Sequence, residues 1–195
     1  MSVITGAVEG FVDEAVVRRI VTHAGGSLGT VHGRKGKGRL IHSLPGYNRA
    51  ARHSPWLVLV DLDQDADCAP SARMRWLPDA ADAMCLRIAV HEVEAWLMAD
   101  RERMSAFLGV PQARLPGQPD AVPHPKEYLV DLAKVSRRRD VLDDMVPRPA
   151  SGRAVGPGYS GRLIEFAQSV WRPEVAAGAS DSLWRCIDCV QRLAS

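Results

Sequence analysis

The chain has 195 residues, 46% of them apolar and 25% charged, and a net charge of +2. That length suits one domain, or one domain with an appendage, and is enough to bury a core; the near-neutral balance gives no global signal for a polyanion, so any such case rests on local basic stretches. With no apolar run of 18 residues and no charged-then-apolar leader, the sequence argues against a helical membrane span and a secretory signal and sets a cytoplasmic location as the expectation.

In chain order, residues 2–8 read as a first strand that runs into Glu9-Gly10, with Gly10 permitting a tight turn. Phe11–His23 carries a helical stripe (Phe11, Ala15, Val16, Ile20, Val21) and is stopped by Ala24-Gly25-Gly26. Residues 28–32 form a short candidate strand, followed by a glycine-rich basic loop at 33–39. Residues 40–53 read as a helix broken at Pro45-Gly46. Trp56-Leu57-Val58-Leu59-Val60 is an unbroken apolar run, the mark of a strand buried on both faces of a parallel sheet, and it ends abruptly in Asp61, Asp63, Asp65 and Asp67. A short helix at 69–77, a strand at 84–90 and a helix at 95–108 complete an alternation of strand and helix that predicts an α/β fold with a mainly parallel sheet of about four strands.

After Val110 the composition shifts. Five prolines punctuate residues 111–125, a helix is expected around 126–135, a second Gly/Pro-rich loop at 147–159, and two more helices near 161–170 and 182–193. Residues 1–110 are therefore read as the α/β core and 111–195 as a helical extension packed on it, one compact unit with loops able to cover a site. The four cysteines are Cys68, Cys85, Cys186 and Cys189. Cys186-x-x-Cys189 has half of a zinc spacing, but it falls on a helical pattern and lacks a second pair, so ordinary reduced cysteines are the simpler reading.

In a parallel sheet the carboxyl ends of the strands share one edge, where ligands bind. Glu9 with Asp13, Asp61 with Asp63, and Glu92 with Glu94 follow three such ends, so acids distant in sequence converge. Several carboxylates without a histidine cluster suit Mg²⁺ or Mn²⁺ rather than zinc. Alternation sends Asp61 and Asp63 to one side wherever the strand conformation persists. The competing reading of each acid is a helix N-terminal charge or a solvated loop residue, and Asp65 and Asp67 are read as loop or capping residues. A calcium loop from Asp61 fails because Ala66 and Ala72 stand where Gly and Glu are required. Phospho-aspartate chemistry at Asp61 is weakened by the full β-α-β-α that precedes it, and residues 33–39 lack the P-loop spacing.

Val8-Glu9-Gly10-x-x-Asp13 followed by Val60-Asp61-Leu62-Asp63 resembles the Toprim domain of topoisomerases, primases and OLD-family nucleases. The segment 93–100, Pro125-Lys126 and Gly156-Pro157-Gly158-Tyr159 look more specifically like the small Toprim-like proteins of the DUF4276 group, which are similar to RloB-type proteins. The resemblance implies Glu9, Asp61 and Asp63 as metal ligands, with Asp13 an acidic neighbour. It also implies Glu94, with Glu92, at the later acidic position and Lys126 as the lysine that neutralises developing phosphate charge. These 195 residues offer no separate domain for a topoisomerase tyrosine and no room for a primase's additional domains, so strand passage and polymerisation are not expected of this chain alone. The resemblance implies an Mg²⁺- or Mn²⁺-dependent nuclease, in a setting of defence against phage or foreign DNA with a separate ATPase. The alternative is a non-catalytic Toprim-like module of an ATPase complex.

For a nucleic-acid partner, Arg34, Lys35, Lys37 and Arg39 on glycine-spaced backbone form one basic cluster and Arg137, Arg138 and Arg139 a second. Each also reads as a solvated face. Tyr47 and Trp56 are candidates for base stacking, Trp56 more simply as core. His91 adjoins Glu92 and is a candidate for proton transfer, against the ordinary reading of a surface loop histidine.

Overall fold

A computed structural model describes residues 2–66 and 68–195; the capping role expected of Asp67 lies outside the described residues. The chain begins β1 (Val3–Val8), α1 (Phe11–His23), β2 (Ser27–Gly33), α2 (Lys37–Ala50), β3 (Trp56–Asp61), α3 (Ala69–Trp76) and β4 (Met84–Ala89). It continues α4 (Val93–Ala99), α5 (Arg101–Leu108), α6 (Pro125–Lys134), α7 (Arg139–Met145), α8 (Tyr159–Ser169), α9 (Pro173–Ala176) and α10 (Asp181–Ala194). The four strands form one all-parallel sheet in the order β2-β1-β3-β4. No helix among the described residues is long and apolar enough to cross a membrane.

The two-residue period of a strand explains how β3 holds the layers together. Leu57 and Leu59 enter a large apolar cluster with α1, α4, α8 and α10, whereas Trp56, Val58 and Val60 enter a second cluster with Leu40 and Leu44 of α2. Each face is thus covered by helices. Trp56 is buried in that second cluster with Tyr47 stacked on it at 5.0 Å, so the two aromatics serve the fold.

Three local departures from the sequence pattern have physical causes. The helix expected to break at Pro45 runs unbroken from Lys37 to Ala50 with Pro45 inside it. A mid-helix proline costs about 3 kcal/mol or more, and burial of Leu40 and Leu44 against the sheet offsets it. Lys37 and Arg39 consequently lie in α2 and not in a flexible loop. The single helix expected over 95–108 divides at Asp100, which leaves helical geometry (φ −82°, ψ 71°) and caps α5 by accepting from the Arg103 amide. Its fully buried carboxylate also receives the Arg172 guanidinium at 2.7 and 2.9 Å. Finally, Cys85 of β4 and Cys189 of α10 are joined in a disulfide where reduced cysteines were the expectation. The sequence offered no sign that α10 packs on β4 and brings them together.

Residues from both halves of the chain share the large cluster. Trp171, fully buried after α8, donates its indole N–H to the Trp96 carbonyl of α4 at 3.2 Å. Replacing Trp171 with Ala is expected to cost about 3–5 kcal/mol, a fall in melting temperature of roughly 10 °C for a chain of this size. Circular dichroism melting reads this directly; an unchanged transition would mean that the second half of the chain folds independently of the sheet.

Candidate metal centre

The site lies beyond the carboxyl ends of β1, β3 and β4. Glu9 follows β1, and Asp13 sits in the first turn of α1, one turn further on. A Cβ on Gly10 would come within 3.1 Å of the Asp13 carboxylate, so glycine leaves that side chain its room. Asp61 is the last residue of β3. Its amide donates to Glu9 Oε1 at 2.8 Å, and its own Oδ1 accepts from the Val93 amide at 3.1 Å. The end of β1, the end of β3 and the start of α4 are therefore tied to one another. Glu94 is buried in the first turn of α4, where the hydroxyl of Tyr159, the first residue of α8, donates to its Oε1 at 3.2 Å.

Lys126 enters from α6. Its amide and ammonium donate to Glu92 at 2.8 and 3.0 Å, and its Nζ stands 3.8 Å from Glu94. Asp13, Asp61, Glu94, Lys126 and Tyr159 line a common cavity of about 330 Å³.

The electrostatics follow from crowding acids inside protein. Burial lifts Glu9 to about 7, against the stabilising Asp61 amide, and Asp13 repels it further. Burial likewise lifts Glu94 to about 7, opposed by Lys126 and reinforced by Glu92. Asp13 is raised by burial, and Asp61 well above its ordinary value by burial and then by Asp13, Glu94 and Glu9. Lys126 is the counterpart. Burial disfavours its charge, but Glu94 and Glu92 outweigh that and hold the ammonium protonated. Burial first, then Glu94, raises the Tyr159 phenol, which stays a donor.

The other acids are placed differently. The strand conformation ends at Asp61; Asp63 has φ 48°, and its amide donates to the His91 carbonyl. Its carboxylate, half-exposed, pairs with Lys37 at 2.8 Å, and Lys37 also meets Asp65 at 2.6 Å. Asp63, Glu92, His91 and His124 line a neighbouring cavity of about 340 Å³. His91 has φ 61° and a buried Nδ1 with no hydrogen-bond partner among the described residues.

Much of the basic charge is already engaged. Arg34 pairs with Glu14 and lies over the Phe11 ring, Arg138 pairs with Asp140, and Arg139 with Asp143. Lys35, Arg39 and Arg137 form no ion pair among the described residues.

The donor set suits a hard cation. All the ligating groups facing the cavity are oxygens, and Asp13 Oδ1 is buried with no hydrogen-bond partner among the described residues, an orphan that costs free energy unless something pairs with it. Among the described residues no three His, Cys, Asp or Glu side chains stand together as a finished metal cage. Glu9 and Asp61 each give an oxygen to a backbone amide, and like charges keep apart. Asp13, Asp61 and Glu94 thus face one cavity with Glu9 bonded to the Asp61 amide, and the half-exposed Asp63 adds its repulsion to Glu9, Asp13 and Asp61.

Tyr159 has no role in the sequence reading beyond its place in Gly156-Pro157-Gly158-Tyr159. A Cβ on Gly158 would press within 2.7 Å of the Asp144 side chain, so the glycine lets the loop pass close to α7 and deliver the tyrosine. That tight Gly-Pro-Gly turn was the available signal. No family model, no curated protein and no solved structure matches this chain.

Proposed function

We propose that this chain is a divalent-metal-dependent nuclease that hydrolyses phosphodiester bonds in DNA or RNA. The observation that carries the reading is the convergence of Asp13, Asp61 and Glu94 with Lys126 on one cavity at the carboxyl edge of a parallel sheet, with an unpaired buried Asp13 oxygen. Asp13, Asp61, Glu94 and Glu9 would hold Mg²⁺ or Mn²⁺. The metal would supply a water acidic enough to attack at neutral pH and would offset charge on the phosphate.

The side chains divide the remaining work. Glu94 would hold the metal or its water, and the Tyr159 hydroxyl, which donates to it, fixes its orientation. Lys126, charged across the working range, stabilises the phosphate oxygens as negative charge builds. Glu9 fixes the Asp61 backbone and so the direction in which its carboxylate points. The resemblance to Toprim-like proteins of the DUF4276 group adds the setting: foreign-DNA defence alongside a separate ATPase.

A DNA and tRNA panel with Mn²⁺ or Mg²⁺, with any companion ATPase supplied, is the test. Cleavage that stops on chelation is the expected outcome, and intact substrate across the panel sinks the reading.

A second reading, a non-catalytic module that keeps the fold, is favoured by the intramolecular pairs Lys37–Asp63, Lys37–Asp65 and Lys126–Glu92, which already neutralise several acids. Isothermal titration separates the two: a nuclease site binds Mn²⁺ stoichiometrically, and a purely structural acid cluster shows no saturable heat.

A further inference from the structure

Away from the carboxylates, a groove of about 830 Å³ runs between α3 and α10, with β4 as its floor. β4 is the last strand of the sheet. The Trp56 amide donates to the Ala83 carbonyl and the Leu62 amide to the Ala89 carbonyl, one at each end of the β3–β4 ladder. In a parallel ladder alternate residues of a strand face one neighbour. Odd-numbered residues of β4 therefore spend their backbone groups on β3, while Leu86 and Ile88 turn N–H and C=O outward into the groove.

Among the described residues no strand pairs with that side of β4, and Leu86 and Ile88 are 2% and 6% exposed. An edge whose outward N–H and C=O groups lack a ladder partner is a place where a further strand adds.

The groove's charge has one sign to spare. Arg73 of α3 and Arg87 of β4 line it and form no ion pair among the described residues, and Arg87 Nε is buried without a partner. The other charged groups on its wall are spoken for: Arg185 holds Asp181 at 2.7 Å, and Lys37 holds Asp63. Met74, well exposed, adds an apolar rim.

We propose that β4 is the receptor edge for an extended acidic peptide from a partner protein, added to the sheet as a fifth strand between α3 and α10. Backbone pairing with Leu86 and Ile88 supplies affinity, acidic side chains meet Arg73 and Arg87, and alternate apolar side chains lie on the groove wall. Six residues, the length of β4, cover about 20 Å of edge. A second copy of this chain does not fit, because its own β4 is equally recessed between two helices. A polynucleotide carries no alternating N–H and C=O to satisfy Leu86 and Ile88.

The test is a phage-displayed library of random nine-residue peptides panned against the full chain. Enriched sequences should alternate Asp or Glu with Val or Ile. A synthetic peptide of the leading sequence should lose roughly tenfold or more in affinity on Arg73→Glu, and again when its alternate amides are N-methylated. On binding, hydrogen exchange should slow at the Leu86 and Ile88 amides. Arg73→Glu is checked for an unchanged melting curve, and Arg87→Gln serves as the second variant.

The proposal is overturned if acidic peptides are not enriched, if Arg73→Glu and Arg87→Gln bind as the parent does, or if N-methylation has no effect. It is equally overturned if the chain dimerises through this edge, or if oligothymidylate binds the groove in an Arg73-dependent way while no peptide does.

Discussion

Asp61→Asn is expected to abolish metal-dependent cleavage and, in the metal-free protein above neutral pH, to raise the melting temperature by several degrees. Both effects come from one carboxylate. Asp61 faces the shared cavity, and burial together with Asp13, Glu94 and Glu9 makes its negative charge costly. Asparagine keeps the oxygen that accepts from the Val93 amide, and its new N–H groups face carboxylates able to accept. The fold therefore loses a repulsion and keeps a hydrogen bond.

A cation loses a charged ligand, however, and turnover should drop by roughly 10²–10³-fold or more, the range seen when one group that stabilises transition-state charge is removed. Steady-state cleavage and calorimetric melting, run on the same preparation, measure the two arms. Parent-like cleavage would remove Asp61 from the site; a lower metal-free melting temperature would mean that its charge is compensated by a group outside the cluster.

The second large effect is on the pH dependence of stability. Glu94 has its carboxyl raised from 4.5 to about 7. Between those values the folded chain binds more protons than the unfolded chain, so stability falls as pH rises. The contribution is fully present below 4.5 and lost once pH passes about 7. For Glu94, almost wholly buried, the swing is on the order of 3 kcal/mol; Glu9, raised over the same window, adds to it by an amount that solvent screening reduces. Asp140, lowered to about 2 by Arg138, works in the opposite sense but only below its ordinary value of 3.8. From pH 5 to 8 the raised acids therefore set the slope.

Mn²⁺ should reverse the loss, stabilising the chain more at pH 8 than at pH 5 and releasing protons as it binds. Melting curves across that range, with and without Mn²⁺, give the answer. A metal-free stability that climbs from pH 5 to 8 would contradict the crowded-acid site.

The parts of this architecture that sequence reveals are those carried by local pattern. The helix Phe11–His23 stands at its expected limits because an apolar stripe is bounded by Gly10 and by Ala24-Gly25-Gly26. β3 is visible because an apolar run that length has few alternatives. Asp13, Asp61 and Glu94 are visible as neighbours because parallel strands share an edge.

What sequence does not reveal depends on distant contacts. Whether Asp63 continues the strand is decided by its left-handed turn and by Lys37, 26 residues away. Asp100 breaks a helical stripe because Arg172, 72 residues later, reaches it. Tyr159 meets Glu94 across 65 residues. The basic clusters read as free charge in sequence, and several of their members are matched by acids that only folding brings near. Arg73 and Arg87 of the β4 groove, by contrast, lie on separate elements and are brought to one groove only by the fold.

The hydrogen bonds from the Asp61 amide to Glu9 and from the Val93 amide to Asp61 have a mechanical side. They lace the segment ahead of α1 to the tip of β3 and that tip to the root of α4, like successive stitches across a seam. An aspartate on a loop is aimed by its own rotamer and drifts with the loop. Asp61 is instead held from both sides, by its amide on one strand end and its carboxylate on the next helix. A displacement of α1 is thereby transmitted to α4, and the spacing of Asp13 and Glu94 across the cavity is set by the stitching rather than by either helix alone.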